Sequence, residues 1–292
     1  MERMKTVREA YQKASYFLHS EGITSFSFEA ELMLRHLLDL DRTRFFMELD
    51  KNFPEEKNNQ LWEWLQKRKQ GVPLQYLLGE QHFYGRSFYV KPGVLIPRPE
   101  TEILVEQVLQ KVDLEWHHAP LRVVDVGTGS GVIAITLAVE RPQWEIIAID
   151  CSSAALHIAK KNAQLHGVKS KITWYKGSWL LPLLQNHKKV DILVSNPPYI
   201  PSEEISTLEK QVRDHEPHLA LDGGVDGLDP YREMIRQIPK VLNRPGLVAF
   251  EVGEGQSEAV AQLFHKLSGS IEVTIKKDLA DKERIVMGWL KS

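Results

Sequence analysis

The sequence predicts an α/β protein: a doubly wound, mostly parallel sheet preceded by a small all-helical N-terminal domain. Three observations carry this. From about residue 120, apolar strand-like runs alternate with helical ones. That pattern calls for a parallel sheet with helices on both faces, and right-handed crossovers make it doubly wound. The first 80 residues show helical periodicity. At 292 residues, 42% apolar and 26% charged, the chain is long enough for two domains with cores of their own.

The elements follow in order. In the N-terminal domain, residues 1–80, Val7, Ala10, Tyr11, Ala14, Phe17 and Leu18 are spaced for one helix face, and Gly22 ends that helix. Ser27 is placed to cap a second helix, with Glu29 and Glu31 in its first turn. Ala30, Met33, Leu34, Leu37 and Leu38 form its inner face. Pro54 opens a third helix carrying Leu61, Trp64 and Leu65 and ending near Gly71. Residues 81–97, QHFYGRSFYVKPGVLIP, set aromatic and β-branched residues around Gly85-Arg86, a β-hairpin read as a linker. Pro92, Pro97 and Pro99 punctuate its exit. In the remaining domain, residues 98–292, LRVVDVG, EIIAID, KITWYKG, VDILVSNPPY and GLVAFEVG read as strands. SGVIAITLAVERP, SSAALHIAKKNAQLHG, YREMIRQIPKVL and GQSEAVAQLFHKL read as helices. Residues 271–290 read as two further strands around a polar segment.

Composition narrows the function. With 37 Lys/Arg and 39 Asp/Glu the net charge is -2, and the first 80 residues hold 12 basic against 13 acidic groups without a basic stripe. No stable nucleic-acid binding is expected. The single cysteine, Cys151, excludes an internal disulfide and a Cys-based zinc site, and fits a reducing, cytoplasmic compartment. MERMKTVREAYQK lacks the apolar region of a secretory signal, and no stretch approaches the ~18 apolar residues of a spanning helix.

Three motifs carry chemistry. Asp125 precedes Gly127-Thr128-Gly129-Ser130-Gly131 between a strand and a helix. The glycines allow a tight turn and close approach to a ligand, with free N–H donors at the helix start. The spacing is G-x-G-x-G, neither the dinucleotide fingerprint nor a P-loop, and a structural turn alone would also account for it. Asp150 ends the next strand, where a carboxylate can accept both hydroxyls of a ribose lying across the sheet edge, or can cap the following helix. Together the two motifs describe a nucleoside-bearing ligand. Asn196-Pro197-Pro198-Tyr199 follows the apolar strand VDILV. Consecutive prolines cannot continue a central strand and hold a rigid, extended backbone. The Asn196 side-chain oxygen and the Pro197 carbonyl can accept two N–H bonds from a planar amide or amino group while the Tyr199 ring packs on its face.

In this combination the chain resembles class I S-adenosylmethionine-dependent methyltransferases that modify nitrogens conjugated to a π system. Further segments resemble the peptide-chain release factor glutamine methyltransferases (PrmC, formerly HemK): Ile96-Pro97-Arg98-Pro99-Glu100-Thr101-Glu102, His215-Glu216-Pro217, Gly223-Gly224-Val225-Asp226-Gly227-Leu228, and Phe250-Glu251-Val252-Gly253 with Gly255-Gln256. The resemblance covers essentially the whole chain. It implies a Rossmann-like catalytic domain ending in an antiparallel hairpin, and a helical domain that recognises the protein substrate. It also implies S-adenosyl-L-methionine as cofactor, S-adenosyl-L-homocysteine as product, and release factors as partners methylated on the glutamine of a Gly-Gly-Gln motif. By matching position, Gly127, Thr128, Gly129, Ser130 and Gly131 would hold the methionine end, Asp150 the ribose, and Trp179 the adenine. Ser178 stands where many relatives carry an acid. Asn196, Pro197, Pro198 and Tyr199 would hold the glutamine amide, with Arg98, Thr101 and Glu102 bordering the entrance.

No general base is assigned. An amide nitrogen is a weak nucleophile, and the expected contribution is positional and electrostatic. Alanine at Asn196 should therefore cost turnover more than cofactor binding. The competing reading is a methyltransferase of nucleic-acid bases, acting on an adenine or guanine amino group in the same pocket. A non-catalytic binding partner is a third. Residues 222–233 imitate a calcium loop in part, but Gly224 and Asp229 break its pattern. His215-Glu216-Pro217-His218 lacks the spacing and helix of a zinc site, so no metal is expected. His117-His118 and Lys67-Arg68-Lys69 read as solvated, and Cys151 as a small filler at the strand exit.

Overall fold

A computed structural model describes residues 4–116, 119–267 and 269–291. His117 and His118 lie outside the described residues. The chain divides into two units, Met1–Gly79 with Glu209–His215, and Glu80–Leu208 with Glu216–Ser292.

The first unit contains α1 (Val7–Ser20), α2 (Phe26–Leu38), α3 (Arg42–Met47), α4 (Glu55–Lys69) and α5 (Leu74–Leu78). The i, i+3, i+4 faces meet in one core, where Ala10, Ala14, Leu18, Met33, Leu34, Leu61 and Leu65 are fully buried. Ser27 does not cap α2. The helix begins two residues earlier, after Ser25, and the Ser27 hydroxyl bonds that of Tyr11 at 2.8 Å. The acids expected in the first turn are core residues: Glu29 is 6% and Glu31 4% exposed. Arg68 reaches Glu29 through two hydrogen bonds, at 2.6 and 3.1 Å, and Arg35 reaches Glu31 at 3.1 Å. The Lys67-Arg68-Lys69 run is thus solvated only at its outer members, which pair with Glu63 and Glu21.

In the second unit, β1 (Glu80–Phe83) and β2 (Arg86–Tyr89) form a hairpin. Its turn is Tyr84-Gly85, one residue earlier than expected, and both residues have positive φ, as a two-residue type I′ turn requires. Then come α6 (Pro99–Glu115), β3 (Arg122–Val126), α7 (Val132–Glu140), β4 (Glu145–Asp150), α8 (Ser153–Leu165) and β5 (Ile172–Lys176). After α9 (Leu181–Gln185) and β6 (Val190–Ser195), α10 (Lys210–Arg213) belongs to the first unit. The chain ends with α11 (Asp229–Val241), β7 (Leu242–Glu251), α12 (Ser257–Phe264), β8 (Ile271–Lys277) and β9 (Glu283–Leu290).

The seven-stranded sheet has the order β5-β4-β3-β6-β7-β9-β8. It is parallel from β5 to β7, and β9 runs antiparallel to both β7 and β8. The doubly wound α/β architecture with a C-terminal antiparallel hairpin is therefore present. Apolar faces of α6 and α7 cover one side of the sheet, and those of α11 and α12 the other. The chain winds outward from β3 to β5, then crosses back to β6 beside β3. This reversal opens a crevice beyond the carboxyl ends of β3 and β6, where such sheets bind ligands. Among the described residues no helix is long and apolar enough to cross a membrane.

Candidate active site

A cavity of about 250 Å³ lies in that crevice. The loop after β3, Asp150 at the end of β4, Trp179 after β5 and Asn196 and Pro198 after β6 all line it. Gly93, Val94 and Leu95 wall one side, and Pro217, Leu219 and Ala220 another.

The glycine loop is held from within. Asp125 is fully buried, and its Oδ2 accepts from the Thr128 hydroxyl at 2.6 Å and from Ala134 N at 3.1 Å. Burial pushes the Asp125 carboxyl up to about 7. The loop N–H groups are less free than the sequence suggests. Those of Gly127 and Thr128 donate to Ile149 O, that of Gly129 to Asp150 Oδ2 and that of Gly131 to Thr128 O. What the loop offers a ligand is room. Gly127 has φ 74°, and the place of a Cβ on it is open for 4 Å around. Gly131 serves packing, since a Cβ there would stand 2.8 Å from Ile135 Cδ1 and 3.1 Å from Ala159 Cβ. Gly127 and Gly129 line the cavity, whereas Thr128, Ser130 and Gly131 support the loop from behind.

Asp150 is not the cap of α8. Ser152 is, its hydroxyl accepting from Ala155 N. Asp150 Oδ1 accepts from Ser152 N at 2.8 Å and Oδ2 from Gly129 N at 2.9 Å. Each carboxylate oxygen has a second lone pair, so the group can still receive two hydroxyls. Burial raises its pKa. Cys151 beside it is exposed and lines the cavity, with its thiol pushed up by burial and by the Asp150 charge. Trp179 has φ 52°, a left-handed turn that its neighbour secures, Leu180 N donating to Gln237 Oε1.

The ladder of β6 with β7 ends at Ser195, so the chain from Asn196 leaves the sheet. Ser195 anchors this exit by donating its hydroxyl to Val126 O at 2.6 Å. Asn196 is half-buried, and its Nδ2 donates to Thr101 Oγ1 at 3.0 Å. Pro197 and Tyr199 are not among the residues that line the cavity. The Tyr199 carbonyl accepts from Gln256 Nε2 at 2.8 Å, and Gln256 Oε1 accepts from Gly253 N at 3.0 Å. Glycines 223 and 227 press against the same backbone. A Cβ on Gly223 would stand 2.8 Å from Tyr199 Cα, and one on Gly227 would collide with the Tyr199 carbonyl. Burial, with the Glu251 charge next, pushes the Tyr199 phenol up to about 12, so it is neutral at physiological pH.

Arg98, Thr101 and Glu102 each fix a different segment. Arg98 Nη2 donates to Glu216 Oε1 at 2.5 Å, while Ile96 N donates to Glu216 Oε2 at 3.0 Å. This clamp joins the two walls flanking the cavity, and Arg98 itself does not line it. Glu102 Oε1 accepts from Tyr84 N in the hairpin turn. Thr101 donates to Glu251 Oε2 at 2.6 Å. The motif spacing alone did not reveal the link from Glu251 to Asn196. Both ends stood in recognisable segments, but only the fold makes them neighbours.

Asp226, which imitates a calcium ligand in sequence, and its neighbour Asp229 are both paired with Arg232. Among the described residues no cluster of three His, Cys, Asp or Glu could hold a metal.

Residues 9–79 match the family model described as PrmC N-terminal domain, and residues 99–225 match the methyltransferase small domain. The chain is 40% identical over 285 residues to the release factor glutamine methyltransferase of Bacillus cereus, covering 98% of this chain and 99% of that protein. The protein of the same name from Caulobacter vibrioides is 38% identical over 283 residues, covering 97% and 96%. Among solved structures, the hMettl16 catalytic domain in complex with MAT2A 3′UTR hairpin 6 gives a TM-score of 0.54 at 15% identity, over 79% of this chain and 92% of that one. A methyltransferase from Pyrococcus furiosus gives 0.51 at 12% identity, over 72% and 91%. At such identities the structural likeness concerns the fold alone.

Proposed function

This chain belongs to the release factor glutamine methyltransferase family, and we propose that it methylates the side-chain amide nitrogen of the Gly-Gly-Gln glutamine in peptide-chain release factors, in the cytoplasm. The observation that carries this is the single cavity joining Asp150 and the glycine loop to Asn196 and Pro198. One end suits a nucleoside-bearing methyl donor, and the other suits a planar amide.

S-adenosylmethionine, when bound, supplies an electrophilic methyl group on its sulfonium. Asp150 would accept the ribose hydroxyls, the open backbone at Gly127 and Gly129 would admit the methionine end, and Trp179 would flank the adenine. Asn196 Oδ1 and the Pro197 carbonyl would accept the two N–H bonds of the glutamine amide, with Tyr199 holding its plane. These two acceptors stabilise positive charge as it develops on nitrogen. The methyl group would pass from sulfur to nitrogen with the bonding pair left on sulfur, and the amide nitrogen held by Asn196 and Pro197 would then lose a proton to water. The neutral Tyr199 phenol supports a positioning role rather than that of a base. The helical unit would recognise the protein substrate.

The test is transfer of labelled methyl to a bacterial release factor, beside a copy whose Gly-Gly-Gln glutamine is alanine, with bulk RNA and single-stranded DNA in parallel. Label on the first factor alone is the expected result. Label on nucleic acid alone would overturn the reading.

A further inference from the structure

A carboxamide can present either its oxygen or its nitrogen to a ligand, and the two ends have opposite hydrogen-bonding sense. A pocket that accepts two N–H bonds works with only one of them. The neighbours of Asn196 decide which. Its Nδ2 donates to Thr101 Oγ1 at 3.0 Å, and Thr101 Oγ1 donates to Glu251 Oε2 at 2.6 Å. Thr101 is 3% and Glu251 2% exposed, so water does not compete for either group. A hydroxyl has one proton, and an ionised carboxylate can only accept. The Thr101 proton is therefore committed to Glu251, and the Thr101 oxygen faces Asn196 as an acceptor. A reversed Asn196 would set Oδ1 against that oxygen, two acceptors in contact, and would aim its NH₂ at the NH₂ of the substrate.

We propose that Thr101 and Glu251 are positioning residues that lock the Asn196 carboxamide with its oxygen toward the substrate nitrogen. The proposal rests on the function proposed above and names what polarises that pocket. Neither residue touches the reacting atoms. Both act through Asn196, one from the first turn of α6 and one from the end of β7.

The lock depends on the charge of Glu251. A protonated Glu251 can donate to Thr101, freeing the Thr101 proton for Asn196 Oδ1 and reversing the whole chain of bonds. Burial pushes the Glu251 carboxyl up to about 7. Glu100 on α6 adds to that rise, while Thr101, Arg284 on β9 and the Asn196 side chain favour the ionised form. Tyr199 also faces Glu251, and Tyr231 on α11 donates its hydroxyl to the Glu251 carbonyl at 2.8 Å.

The test compares wild type with Thr101→Val, Thr101→Ser and Glu251→Gln for methyl transfer to a release factor, cofactor affinity and thermal unfolding. Wild-type transfer to the Gly-Gly-Gln glutamine checks the function itself, and the variants are read against that rate. Thr101→Val should lower kcat at least tenfold, with cofactor Kd and substrate KM within threefold. Thr101→Ser, which keeps the hydroxyl, should recover most of that loss. Wild-type kcat should fall as pH drops through about 7, and Glu251→Gln, which cannot gain that proton, should lack the fall. The proposal is overturned if Thr101→Val keeps kcat within threefold, if its loss tracks cofactor affinity or unfolding, if Thr101→Ser is no better, or if the acid limb survives in Glu251→Gln.

Discussion

Asp125 has its charge far from water, with one oxygen bonded to Thr128 and Ala134 and the other, Oδ1, without a partner among the described residues. Its pKa is raised to about 7 in the folded chain from an ordinary value of 3.8, so the native state holds a proton that the unfolded chain has lost. Stability from this group is present at acid pH and is lost as pH rises through about 7. Asp125→Asn keeps the acceptor oxygen and removes the titration. Between pH 5.5 and 8, wild type should lose on the order of 2 kcal/mol relative to this variant in denaturant unfolding. A pH-independent difference would show that Asp125 titrates alike in both states. Cys151 offers a second residue-level prediction. Its raised pKa should make alkylation by iodoacetamide at pH 7.5 slower than for a free thiol, and S-adenosylhomocysteine should slow it further. An unchanged rate with ligand present would take the Asp150-Cys151 corner out of the ligand footprint. The sequence named Asp125, Asp150 and Cys151. It did not say that the first supports the loop, or that the third faces the cavity.

Elements with a full period were legible in the chain. Strand β4 coincides with EIIAID, and α8 follows the reading SSAALHIAKKNAQLHG to within a residue or two. The misses have a common cause. Helices α3, α5, α9 and α10 are six residues or shorter, less than two turns, and such segments show no periodicity to read. The Gly223–Gly227 loop shows what an irregular element does when packed. Gly227 has φ 75°, and a Cβ on it would meet the Tyr199 carbonyl and Gln256 Nε2. Gly227→Ala should displace Tyr199 and Gln256 together, lowering kcat at least tenfold while cofactor affinity stays within about threefold. Steady-state kinetics beside calorimetric titration of the cofactor checks this, and parallel losses of both would argue for a general collapse of the crevice.

Within the helical unit, stability is tied to a buried ion pair. Arg68 and Glu29 have side-chain exposures of 11% and 8%, and a carboxylate left there alone has no water to turn to. Arg68→Ala should cost about 3–5 kcal/mol in denaturant unfolding, while Arg68→Met with Glu29→Leu should be near neutral. Equal losses in both variants would mean that packing, not the uncompensated charge, dominates. In the second unit, the site depends on chain order. Asp125, Asp150 and Asn196 lie at or just beyond the carboxyl ends of three neighbouring strands, and the return from β5 to β6 puts those ends around one crevice.

Hydrophobic periodicity, proline and glycine are local properties, so the sequence by itself determined the alternating architecture, the helical N-terminal region and the three motifs at strand ends. It could not determine which side chains meet. Arg98 lies 118 positions from Glu216, and Thr101 lies 150 from Glu251. Pairs so distant come together only when the sheet closes, and no local pattern encodes them. Tertiary structure also decided the fate of donors that the sequence counted as free. Most buried polar groups take a partner, so the N–H groups of Gly127, Thr128 and Gly129 turned to Ile149 and Asp150, and the glycines were left to supply space.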